Sequence, residues 1–118
     1  MNHSIKMLTP TIQECHELFE EYKVPGTVRS HCQIVFKVAT YLAQELKKKG
    51  YPLNINIIGP FALLHDFMKA VVLEKLDDPP YNYQPTKEEI EMHQKLRKEY
   101  PQMSEAKVAH LILTEKFP

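Results

Sequence analysis

Three groups able to hold a metal ion stand out in this chain. His31 falls at helical spacing between Val28 and Val35, with Cys32 beside it. His65 and Asp66 follow as a doublet inside the most apolar stretch, Phe61-Ala62-Leu63-Leu64-His65-Asp66-Phe67-Met68. An unpaired carboxylate in such surroundings costs several kcal/mol or takes up a proton. Asp66 therefore needs a cation, a metal or several hydrogen-bond donors. Lys69, three residues on along the same helical side, supplies one cation. That pairing answers one charge and leaves the histidines unexplained. His31 alone reads as a core histidine bonded to a neighbour. Together, imidazole and carboxylate are ordinary ligands for first-row divalent ions.

The elements that must position these residues are helices, because apolar residues recur at helical spacing and period-two alternation is absent. Thr9-Pro10, or the capping box Thr11 to Glu14, opens a first helix carrying Ile12, Cys15, Phe19 and Tyr22. Val24-Pro25-Gly26 ends it. Thr27 is the expected cap of a long second helix, stopped by Gly50. Its apolar stripe is Val28, Cys32, Val35, Val38, Ala39, Leu42 and Leu46, and Lys47, Lys48 and Lys49 suit its C-terminus. Asn54 or Asn56 opens a third helix, with Pro60 near its first turn. Apolar residues on every side from Ile57 to Leu73 predict a helix surrounded by others. The prolines of the loop after Glu74 exclude regular structure there. In that loop Tyr81 and Tyr83 read either as groups stacking over a site or as part of a plain connector. A capping box at Thr86 to Glu89 opens a fourth helix with Ile90, His93, Leu96 and Tyr100. Ser104 caps a fifth, with Val108, Leu111 and Ile112 inward.

Composition narrows the function classes. The 118 residues suit one domain, and 15 Lys+Arg against 15 Asp+Glu cancel to a net charge of zero. Neutrality argues against a protein that binds a nucleic-acid polymer or an anionic membrane by charge. The polar residues Asn56, His65, Asp66 and Lys69 argue against a membrane span in the apolar stretch. Two cysteines, Cys15 and Cys32, have no metal-ligand spacing, read as small core residues and suit a reducing cytoplasm. The N-terminal segment is too polar for a signal peptide. Scattered glycines exclude a phosphate-binding loop.

His31 on one helix, followed by Ala62-Leu63-Leu64-His65-Asp66 with Lys69 just after on a later one, resembles the HD superfamily of metal-dependent phosphohydrolases. The resemblance covers the first three helices; the last two match only in helical character. It implies a compact HD-type bundle of about five helices. His31, His65 and Asp66 match the family's metal ligands, with the ion one of Mn, Mg, Fe, Co, Ni or Zn. It gives Asp66 a catalytic role through the ion. Lys69 matches a lysine that could neutralise a substrate oxygen, although a structural salt bridge explains it equally well. Arg29 is a weaker candidate for the same phosphate. The expected activity is hydrolysis of a small phosphate ester, most simply a nucleotide, by a phosphomonoesterase or phosphodiesterase in the cytoplasm. The alternative is a non-catalytic HD-like module binding a nucleotide or a partner.

The chain departs from the family in one respect. HD proteins close the site with a later aspartate, whereas Asp77 and Asp78 come too soon after Asp66 and no aspartate follows them. Either the full fold continues beyond these residues, so that C-terminal helices are lacking, or other groups close the site. His93 is the main local substitute, as an additional metal or substrate ligand. His110 falls off the inward stripe of its helix, and His3 and His16 have no supporting context.

Overall fold

Reciprocal hydrogen bonds start the first helix. Thr11 Oγ1 accepts from the Glu14 amide at 3.1 Å, and Glu14 Oε1 accepts from the Thr11 amide at 2.8 Å. The capping box is thus the start signal in use, and Thr9-Pro10 lies outside the helix. In this computed structural model, which describes residues 9–76 and 83–117, α1 spans Ile12–Glu21 and buries Cys15, Leu18 and Phe19. Its C-terminus is held from a distance. The Arg29 guanidinium donates to the carbonyls of Val24 (2.7 Å) and Phe19 (2.9 Å), and pairs with Glu20.

α2 runs Gly26–Lys48 with Pro25 as its cap residue and no side-chain cap. Thr27 is therefore already inside the helix, contrary to its expected capping role. What sits at this end is Tyr83, whose hydroxyl accepts from the Gly26 amide at 3.0 Å and donates to Glu89 at 2.8 Å. A Cβ at Gly26 would lie 2.8 Å from that hydroxyl oxygen, so the approach needs glycine. The apolar stripe is buried only in part. Of its members Val28 and Cys32 are covered, while Val38, Leu42 and Leu46 stay exposed, and Ala43, outside the expected stripe, is buried. The face that meets the core runs through Val28, Cys32, Phe36 and Ala43, and at about 100° per residue Val38 and Leu42 turn away from it.

α3 spans Ile55–Leu64, with Asn54 capping the Asn56 amide. It is shorter than the apolar run suggests. Beyond it the backbone changes to bonds three residues back, Phe67 to Leu64 and Lys69 to Asp66, and a 3-10 helix covers Lys69–Val72. The hydrophobicity from Ile57 to Leu73 thus serves a helix, a turn and a 3-10 segment in succession. Pro60 lies in the second turn of α3 rather than the first, and Phe61 and Ile57 face solvent. Gly59 marks the tightest crossing, since a Cβ there would meet Phe36 of α2 at 3.1 Å and Ile12 of α1 at 3.3 Å.

α4 (Lys87–Glu99) starts at the Thr86–Glu89 capping box, and α5 (Glu105–Lys116) starts at Ser104. The described residues are all-α, with no strand among them. One core draws Phe19, Cys32, Leu63, Phe67, Leu96, Val108 and their neighbours from all five helices. In the apolar stretch after Asn54 this core takes up Leu63, Leu64, Phe67, Met68, Ala70 and Val71, whereas Ile57, Phe61 and Val72 stay exposed.

Candidate metal centre

The end of α3 sets the site. His65 is the C-terminal cap residue of α3, and its Nδ1 lies 2.8 Å from the Ala62 carbonyl. A carbonyl only accepts, so Nδ1 carries a proton, and in a neutral ring the lone pair is then on Nε2. Asp66 follows in the tight turn. Its Oδ2 sits 3.0 Å from His65 Nε2 and 3.1 Å from Nε2 of His31, which projects from α2. The two imidazole rings are 6.0 Å apart. The three ligand atoms all lie within 4.8 Å of one another.

This convergence has an electrostatic consequence. With Nδ1 of His65 committed as a donor, a neutral ring turns its Nε2 lone pair toward an anionic oxygen at 3.0 Å. Only a second proton on the ring or a cation at that point makes the contact favourable. The donor set itself, two imidazole nitrogens and one carboxylate oxygen, fits zinc and the first-row divalent ions. The bond from Nδ1 to a backbone carbonyl is the kind of outer contact that orients metal-binding histidines. The His31 side chain is 47% exposed and Asp66 22%, so solvent and a small ligand have access.

Glu105, at the start of α5, also reaches this place. Burial, followed by the nearby negative charge of Asp66, pushes its carboxyl above the usual glutamate value, and Lys69 partly offsets this. A hydrogen bond between the two carboxyl groups of Glu105 and Asp66 acts in the same direction as burial, and among the described residues Glu105 Oε2 is sealed from solvent without a further partner. The sequence offered no signal for it, because a glutamate in a helix's first turn is ordinary.

The remaining candidates separate. Lys69 opens the 3-10 helix near Asp66 and Glu105. The ion-pair partners of Asp66 among the described residues are the histidines, not Lys69. His93 is not at the site. It is buried, and its Nε2 lies 3.0 Å from the Ala70 carbonyl and 2.8 Å from that of Leu73, so it fastens α4 to the 3-10 segment. Arg29 is not poised for a phosphate either, because its guanidinium is spent on the end of α1. Tyr83 serves Gly26 and Glu89 rather than a site mouth. His110 is exposed as expected, while Asp77, Asp78, Tyr81 and His3 lie outside the described residues. Beside His65 a groove of about 480 Å3 opens, lined by Phe61, Leu64, Ala109, His110 and Leu113.

The chain matches no protein-family model, no curated protein and no solved structure.

Proposed function

We propose that this protein is a metal-dependent phosphohydrolase acting on a small phosphate ester. The observation that carries the reading is the meeting of His31 Nε2, His65 Nε2 and Asp66 Oδ2 at one partly exposed point. These three residues would hold the ion. A divalent ion so held lowers the pKa of a bound water and polarises a phosphoryl oxygen. His65, fixed by the Ala62 carbonyl, keeps Nε2 aimed at the ion. Asp66 supplies the anionic ligand and orients both rings. Lys69 stands near enough to balance negative charge brought in by a phosphate. The groove beside His65, with Phe61 open to solvent on its wall, suits an ester whose alcohol side is flat or apolar, as a nucleoside is.

The test is turnover of p-nitrophenyl phosphate and of nucleoside monophosphates, with and without added Mn2+. Activity that needs the metal and falls by roughly a hundredfold or more in Asp66→Ala agrees with the proposal. Undiminished activity in that variant refutes the mechanism. Stoichiometric metal uptake with no turnover of any ester favours a binding module instead.

A further inference from the structure

The face of α2 turned away from the core carries a continuous apolar ridge. Ile34, Val38, Leu42 and Leu46 follow one another at intervals of four residues, and all stand 42–62% exposed. Tyr41 lies beside Val38 on the same surface and is exposed as well. Single exposed apolar side chains are ordinary, but a contiguous row of them marks an interaction surface. Among the described residues nothing packs over this row; α3 meets α2 on its other side, at Phe36. A row of this period is one of the natural ridges of an α-helix. Two such ridges packed together give the commonest helix crossing in globular proteins.

We propose that the ridge is a dimer interface, covered by the same ridge of a second copy of this chain in an antiparallel, two-fold arrangement. The ridge is complementary to itself. About a two-fold axis at the level of Thr40, Ile34 faces Leu46 of the second copy and Val38 faces its Leu42. At 1.5 Å per residue the same axis sets Glu45 about 3 Å along the helix from the second copy's Lys37. Glu45 is the one acid on α2, and its pairing with Lys48 at 3.0 Å is a surface contact that is given up at little cost. The area is sufficient. The five apolar side chains leave on the order of 500 Å2 open on each copy, and two copies together reach roughly the 1,000 Å2 at which specific interfaces begin. Charge also selects the occupant. The chain is neutral, so two copies do not repel and an anionic lipid surface gains no attraction. Lowering the ridge into lipid would also bury the Glu45 carboxylate.

The experiment is analytical ultracentrifugation of the whole chain across a concentration series. Wild-type protein should dimerise with a Kd in the micromolar range. Val38→Glu and Leu42→Glu should each weaken the dimer by roughly a hundredfold. Both side chains face solvent, so the circular dichroism of each variant should match the wild type. Lys37→Glu or Glu45→Lys alone should weaken the dimer by about tenfold, and the two together should restore it. A wild-type protein that stays monomeric at about 1 mM overturns the proposal. A dimer that survives Val38→Glu also overturns it, because the contact then lies elsewhere. So does a monomer that sediments with phosphatidylserine vesicles and loses them in Val38→Glu, which would assign the ridge to a lipid surface.

Discussion

At the scale of single residues, the same side-chain type does opposite work here, and the hydrogen-bond partner decides which. His65 gives one ring nitrogen to a carbonyl and leaves the other facing Asp66. His93 spends its Nε2 on two carbonyls and touches no acid. From sequence both are histidines on apolar faces; only the doublet with Asp66 separated them. Replacing His93 by alanine leaves each carbonyl one donor, the Leu73 amide on Ala70 and Arg97 on Leu73. We expect alanine at this position to cost about 1–2 kcal/mol in urea unfolding from the lost hydrogen bonds, with metal stoichiometry unchanged. A loss of metal at full stability would return His93 to the site. Cys15 makes a second case. Burial, with a smaller push from Glu14, raises its thiol from 9.0 to about 11. The folded state therefore holds that proton more tightly than the unfolded chain. The sign follows: the contribution is fully present below pH 9 and is lost as pH rises toward 11. It is worth on the order of 2 kcal/mol. Unfolding free energy should fall across that window, and the slope should flatten in Cys15→Ala.

At the scale of helices, caps and helix starts were legible because their signals are local. Thr11, Thr86 and Ser104 accept from amides three residues ahead, as their spacing foretold. Ends were less legible, because they depend on what lies nearby in space. The run Ile57 to Leu73 has no breaker after Pro60, yet α3 stops at Leu64, where the chain tightens into the turn that presents Asp66. The stripe of α2 was read as one buried face, but the covered face runs through Phe36 and Ala43 and leaves Val38 and Leu42 outside it. Arg29 shows the same limit. It read as a weak candidate for a phosphate, and it instead caps α1 through two carbonyls that no sequence pattern links to it. Arg29→Ala should thus lower stability by about 1–2 kcal/mol, read from thermal or urea melts. KM for a phosphate ester should stay as it was. A raised KM at unchanged stability would restore the phosphate-binding role once assigned to it.

At the scale of the molecule, the candidate site is a junction. His31 comes from α2, and His65 and Asp66 from the end of α3, so an ion held there would join segments far apart in sequence. The cation would replace a contact that the bundle makes poorly for itself, a ring lone pair against an anionic oxygen. Such an ion binds the folded chain and not the unfolded one, which lacks the geometry. Its binding free energy then adds to stability by mass action, about 2.7 kcal/mol at a free metal concentration one hundred times Kd. For a domain of this size that is on the order of 10 °C in Tm. Wild-type protein stripped with a chelator should melt lower and recover its Tm on adding Mn2+. His31→Ala should melt near the stripped value with or without the ion, because the tie from α2 is cut. An equal rise in Tm for both proteins would mean that Mn2+ stabilises the bundle somewhere other than at this junction.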